Sequence, residues 1–377
     1  MKIGILKEKE PEKRVAMLPD GVADLVKLKV SVIVEKDAGA GSFADDNAYR
    51  ESGAAVDTRD AVLKGSNIIL MINAPDRDTI KRMKEGQVVV AAVNPLVNHD
   101  VVTRFAESGV TLFSLDVLPR TTRAQAMDIL SSQATVAGYK AVLDAACRLN
   151  GFLPMFMSAA GTIKPSRVLV LGAGVAGLQA IATARKLGAV VEAFDVRSAV
   201  KEEVQSLGAK FVEVEGAIDD TSAGGYAVEQ TEAFKQRQQQ MIQEHCLKAD
   251  IVICTAQIPG RKAPLLVRKE TVEAMKPGSV IIDLAASTGG NCALTRNDEV
   301  VVVNGVSVVG ESNYPSAMPT DASQMFGKNM INFLKLLIDD SGNINLDFGD
   351  ELVKGTCVTH AKEIMHERVR EFMNSKK

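Results

Sequence analysis

Ten residues, 168–177, constrain this chain more than any others: Val-Leu-Val-Leu-Gly-Ala-Gly-Val-Ala-Gly. Four apolar residues in a row suit a strand buried on both faces, and the glycines after them suit a tight turn into a helix. Gly172 permits the turn, and Gly174 lets backbone amides approach a pyrophosphate. Val175 opens the helix, and Gly177 lets that helix lie close on the strand. Eighteen residues after Gly177 the chain reaches Asp195, an acid at the expected tip of the next strand. Together these predict a dinucleotide-binding unit of the Rossmann kind. A carboxylate at Asp195 accepts hydrogen bonds from both ribose hydroxyls of an adenosine and repels a 2′-phosphate, which favours NAD over NADP. Arg197 pulls the other way, because a guanidinium tolerates that phosphate.

At 377 residues the chain suits two domains rather than one. It is 46% hydrophobic and 24% charged with a formal net charge of −3, and it carries no Lys/Arg cluster, so no nucleic-acid partner is expected. Apolar stretches such as 168–178 and 88–93 fall far short of the ~18 residues that span a bilayer. The opening Met-Lys-Ile-Gly-Ile-Leu-Lys-Glu reads as a strand followed by charge, not as a targeting segment. Cysteines at 147, 246, 254, 292 and 357 have no paired spacing, and Cys254 lies in an apolar strand pattern. Reduced thiols are expected, and no metal, since neither His245 beside Cys246 nor His360 with His366 has zinc spacing.

The first third alternates buried strands at 3–6, 31–35, 67–72, 87–93 and 111–115 with helix-period stretches such as 20–29 and 98–108. It has no glycine fingerprint. Residues 131–149 read as one long helix, with Ser131 and Ser132 as candidate caps and Asn150-Gly151 closing it. The nucleotide unit follows, with strands at 168–171, 190–195, 211–214, 250–254 and 279–284, helices at 175–187 and 199–207, and a strand pair within 299–309. A last helix at 322–339 and the tail around Gly355–Thr359 are expected to return to the first domain. The chain thus divides into a discontinuous α/β domain (1–130 and 322–377) and a nucleotide domain (131–321). Residues 215–242, with Gly224-Gly-Tyr226 and a Gln-rich run that looks helical, read equally as a functional loop or as a solvated excursion.

Dehydrogenases of alcohols or amino acids need a base, commonly His or Lys. The chain has only four histidines, and His99 alone falls near a strand end. Hydride passage between two nicotinamides needs no base, only rings held face to face. The polar run Arg120-Thr-Thr-Arg-Ala-Gln-Ala-Met-Asp128 offers donors suited to fixing a carboxamide, and reads equally as a charged loop capping the long helix.

The segment Arg120–Tyr139 closely resembles the nicotinamide loop of the proton-translocating transhydrogenase family, which is related to the alanine dehydrogenases. Met155–Ile163, Gly224-Gly-Tyr226, Thr255-Ala-Gln-Ile-Pro-Gly260 and Gly289-Gly-Asn-Cys292 also resemble that family. The resemblance implies an α/β fold of two Rossmann-like domains with mostly parallel sheets separated by a cleft. It implies hydride transfer from NADH to NADP⁺ held by a partner (beta) component, coupled to proton translocation by a membrane-spanning component. It further implies that Arg120, Gln125 and Asp128 serve the hydride step. Ser131 helps orient the nicotinamide, Asp195 holds the ribose, and Tyr226 rides a mobile loop that closes over NAD(H). Thr255 and Gln257 lie in a loop lining the pocket, where relatives usually have Leu in place of Gln257, and Ser287 replaces a common Glu. The Met155–Ile163 hairpin resembles an arm exchanged between subunits, implying a homodimer. With no membrane helices in its 377 residues, the chain looks like a separately encoded alpha subunit, cytoplasmic and peripheral to the inner membrane through its partners.

Two rivals remain. An alanine dehydrogenase shares the plan and an arginine matching Arg14, but it uses a lysine where this chain has Asn73 and a histidine near Val93-Asn94-Pro95. A regulator that binds NAD without chemistry is the other, and the intact Arg120/Gln125/Asp128 run weighs against it.

Overall fold

The computed structural model describes residues 1–214, 231–258 and 260–375. The chain forms two compact units, Met1–Gln133 with Pro315–Lys377, and Ala134–Tyr314.

In the first unit, β1 (Lys2–Ile5), β2 (Ser31–Glu35), β3 (Ala54–Asp57), β4 (Ile68–Asn73), β5 (Val88–Ala92) and β6 (Thr111–Ser114) are all parallel. Runs such as Ile-Ile-Leu-Met-Ile in β4 are buried throughout because helices cover both faces of the sheet. β1 pairs with β2 (Lys2 opposite Ser31) and with β4 (Ile3 opposite Ile68). The chain therefore winds outward from β1 through β2 and β3, then returns to build β4, β5 and β6 on the other side. That reversal leaves a crevice at the carboxyl ends of β1 and β4. Alternate side chains feed two cores: Ile3, Ile5 and Leu70 face Phe326 and Phe333, while Ile69, Met71 and Val89 face Phe105. Phe333 meets Phe113 edge-on, with ring centroids 5.5 Å apart. β3 is not among the expected strands, and the helix expected at 322–339 runs instead over Pro319–Leu334, opened by its proline.

The second unit holds β7 (Phe156–Ser158) and β8 (Gly161–Ile163), an antiparallel hairpin, and a larger sheet. That sheet contains β9 (Arg167–Leu171), β10 (Val190–Phe194), β11 (Lys210–Phe211), β12 (Ile251–Cys254), β13 (Val280–Asp283), β14 (Val300–Val303) and β15 (Val306–Val309). Among the described residues its order is β11-β10-β9-β12-β13-β15-β14, with only β14 antiparallel. β9, flanked by β10 and β12, again marks the reversal. The strand expected at 211–214 shrinks to Lys210–Phe211. From Glu232 onward the stretch read as a loop is a helix, Glu232–Cys246, whose cap Thr231 accepts the Phe234 amide at 3.2 Å.

Cys357–His360 (β16) returns to the first sheet, antiparallel to β6, with Glu363–Ile364 (β17) beyond it. The long helix spans Ile129–Arg148, starting two residues before the expected position. Its cap is therefore neither Ser131 nor Ser132. Asp128 accepts the Ser131 amide at 2.9 Å and the Ser131 hydroxyl at 2.6 Å, while the Ser132 hydroxyl donates to the Ile129 carbonyl at 3.1 Å.

Candidate functional site

β9 runs into Gly172, whose φ of +104° is open to glycine and costly for other residues. Its amide donates to the Phe194 carbonyl at 2.8 Å, tying the turn to β10. A Cβ on Gly177 would stand 1.9 Å from the Gly172 carbonyl oxygen, so no larger residue lets the helix come this close. Gly174 is different: a Cβ there meets nothing within 4 Å. The helix Val175–Lys186 starts at Gly174 with no side-chain cap, so its first amides have no side-chain acceptor, and the Val175 side chain is 42% exposed. Open space before uncapped amides is what a pyrophosphate requires. These residues fit a dinucleotide.

Two further loops brace the turn. The Thr255 hydroxyl, just past β12, donates to the Gly172 carbonyl at 2.9 Å. The Gln257 side-chain amide donates to the Leu284 carbonyl at 2.7 Å, so it joins the loops after β12 and β13. Beneath them lies a polar pair that no sequence motif singles out by role. Asp283, fully buried, accepts the amides of Asn291 (2.7 Å), Cys292 (3.0 Å) and Ala285 (3.0 Å) and the Thr295 hydroxyl (2.6 Å). Asn291, also fully buried, accepts the Ala256 amide at 3.0 Å and donates to the carbonyls of Ala256 (2.9 Å) and Pro264 (2.8 Å). The Gly-Gly-Asn spacing is the only signal of the pair in the sequence, and the roles appear once both loops are folded. Ser287 is exposed on a short turn, Ala286–Thr288.

Asp195 follows β10, its side chain 7% exposed. Oδ2 accepts the Ala173 amide at 2.7 Å and Arg197 Nη2 at 2.8 Å. Oδ1 accepts the Arg197 amide and Arg197 Nε, both at 2.9 Å. These bonds to the carboxylate hold the guanidinium more firmly in its charged form than usual. Tyr226 lies outside the described residues.

In the first unit, Arg120 precedes a 3-10 turn, Thr122–Met127, anchored by the buried Ala124 and Met127. Asn329 and Asn332 both donate to the Ala126 carbonyl, at 2.9 and 3.1 Å, and Arg123 pairs with Asp350. Gln125 and Arg120 project from this braced turn, exposed, while Asp128 and Ser131 are bonded to one another at the helix start.

The crevice between β1 and β4 is filled by the protein itself. Glu8 accepts the Ile72 amide at 2.6 Å and the Asn73 side chain at 3.2 Å, and burial pushes its carboxyl up. Arg14 forks onto Glu12 at 2.6 and 2.9 Å and donates to Gln133 at 2.7 Å. Burial acts to raise Glu12, but the Arg14 guanidinium overrides it and brings the carboxyl down to about 2. Asn73 also donates to Glu12, at 3.2 Å. Asn94, exposed, donates its backbone amide to Asp116 at 2.6 Å. His99 sits on a helix start with Nε2 3.0 Å from the Leu96 carbonyl, and His245 contacts Glu192 at 2.6 Å.

Two family models match, described as "Alanine dehydrogenase/PNT, N-terminal domain" over residues 4–137 and "Alanine dehydrogenase/PNT, C-terminal domain" over residues 141–367. The chain is 46% identical over 376 residues to the first of the separately encoded pieces of NAD(P) transhydrogenase subunit alpha in Rhodospirillum rubrum, covering 97% of this chain and 98% of that protein. The crystal structure of transhydrogenase from Sinorhizobium meliloti superposes with a TM-score of 0.88 at 43% identity, over 97% of this chain and 100% of that one. An L-alanine dehydrogenase structure reaches a TM-score of 0.84 at 24% identity, covering 100% of both chains, a likeness of fold.

Proposed function

The chain belongs to the alanine dehydrogenase/PNT family, and from that premise we propose that it works on the transhydrogenase side of it, passing a hydride from NADH to NADP⁺ held by a partner component. It binds NAD(H) and has a hydride-transfer role within a transhydrogenase complex. One observation separates the two branches. The crevice where an alanine dehydrogenase carries a lysine holds Asn73, tied to Glu8 and Glu12, while the glycine cradle of the second unit is intact.

NADH supplies the hydride, and no proton need be exchanged with the protein. The chain's residues therefore hold and orient. Gly172, Gly174, Val175 and Gly177 offer amides to the pyrophosphate, and Asp195 takes the adenosine ribose. Thr255 and Gln257 fix the loops beside the turn, with Tyr226 assigned to closure over the nucleotide. Arg120, Gln125, Asp128 and Ser131 are assigned to the nicotinamide. Their support is a turn pinned by Asn329 and Asn332, since orientation requires a rigid mount.

The partners we assign are a beta component carrying NADP(H), a membrane-spanning component and a second copy of this chain. The hairpin supports the homodimer, with Met155 60%, Phe156 45% and Met157 70% exposed. No helix among the described residues is long and apolar enough to cross a membrane, so proton movement belongs to a partner in this scheme. We place the chain in the cytoplasm, against the inner membrane through those partners. Mixing the purified chain with an NADP(H)-binding component and following NADH oxidation tests the reading: rapid transfer supports it, and none with a competent partner overturns it.

A further inference from the structure

A carboxylate offers about four acceptor positions, two on each oxygen. At Asp195 all four are taken. Two donors, the amides of Ala173 and Arg197, are backbone and cannot leave without unfolding the turn. The other two, Arg197 Nε on Oδ1 and Nη2 on Oδ2, belong to one guanidinium, 25% exposed at the end of a long side chain. The two hydroxyls of an adenosine ribose need one position on each oxygen, and the guanidinium holds one on each.

We propose that Arg197 is a specificity-determining residue that acts through Asp195: its guanidinium competes with the adenosine ribose for the carboxylate and must swing off for NADH to bind. The inference rests on Asp195 being the ribose acceptor. Backbone donors keep the carboxylate aimed while the exchange takes place, so the site is not rebuilt at each binding event. Glu203, on the following helix Lys201–Ser206, lies within electrostatic reach of Arg197 and offers the displaced guanidinium a counter-charge. Arg197 affects the two cofactors in opposite senses. It opposes a ribose with two free hydroxyls, which must evict it, and it favours a 2′-phosphate, whose charge it meets.

The experiment is equilibrium titration of NADH and NADPH against the full chain, followed by fluorescence or calorimetry, for the natural protein, Arg197→Ala, Arg197→Lys, Asp195→Asn and the Asp195→Asn/Arg197→Ala pair. Arg197→Ala should tighten NADH about five-fold and weaken NADPH by a similar factor, the scale of one partly exposed ion pair. Arg197→Lys, which keeps charge but loses the fork, should fall between. Once Asp195 is neutralised, removing Arg197 should no longer tighten NADH. A merely structural role would move both cofactors the same way. Arg197→Ala that weakens NADH or leaves it unchanged overturns the proposal while Asp195 keeps its role. Asp195→Asn that binds NADH as well as the natural protein overturns the ribose assignment itself, and the proposal with it.

Discussion

At the carboxyl ends of β1 and β4 the chain closes its crevice with Glu8, Glu12, Arg14, Asn73 and Gln133, whereas beside β9 and β12 it leaves a glycine turn and uncapped amides. Both crevices arise in the same way, by reversal of strand order about the first strand of a parallel sheet. One is satisfied internally, every carboxylate finding donors from the chain. The other keeps its donors for something else. The scaffold supplies the position, and a few side chains at its rim decide whether that position binds.

The contrast between the two edges is most vulnerable at the glycines. Gly174→Val should fold with near-natural thermal stability, since its backbone is extended and a Cβ there meets nothing within 4 Å, yet lose about 100-fold or more in NADH affinity by blocking the pyrophosphate. A titration that shows unchanged affinity would mean the open edge is not the site. On the filled edge, Glu12→Ala strands a buried guanidinium and should cost about 3–5 kcal/mol in urea unfolding. The sign in pH follows from the depressed carboxyl: with Glu12 brought from the ordinary 4.5 to about 2, its stabilisation is complete above about pH 4.5. It is lost as the pH falls toward 2. The stability gap between the natural chain and Glu12→Gln should close over that interval.

Gln125→Asn should slow hydride transfer by about ten-fold or more while NADH affinity stays within about two-fold, because shortening the amide disturbs orientation more than binding. Single-turnover mixing with the partner component separates the two. The smallest effect is expected at Gln257→Leu, which removes one bond to Leu284 while the buried Asn291 and Asp283 still hold both loops. NADH affinity should change by less than about three-fold. A larger change would show that the side chain itself meets the nucleotide.

Much of the open edge is legible in the sequence. The fingerprint, its strand and its helix are local, each set by residues within about a dozen positions, and continuous apolar runs mark most of the buried strands. β3, Ala-Ala-Val-Asp, escapes because four residues with one branched side chain carry little pattern. The filled edge is hidden for another reason. Lys7-Glu-Lys-Glu-Pro-Glu-Lys-Arg14 reads as solvated charge, yet Glu8, Glu12 and Arg14 are 7–8% exposed. Their burial is made possible by Asn73 and Gln133, which lie 61 and 119 residues from Glu12 and Arg14 and which no local spacing reveals. The cap of the long helix is misplaced by two residues. Several polar side chains compete for a helix start, and which one faces the free amides is settled only once the preceding turn is fixed against Asn329 and Asn332.

One assay bears most directly on the claim that this protein orients nicotinamides and handles no proton. The chain alone, with NAD⁺ and alanine or with NADH, pyruvate and ammonium, is compared with the chain plus its NADP(H)-binding partner under the same absorbance readout. Near silence is expected in the first two mixtures and fast hydride exchange in the third. Sustained alanine oxidation by the unaided chain would contradict that claim.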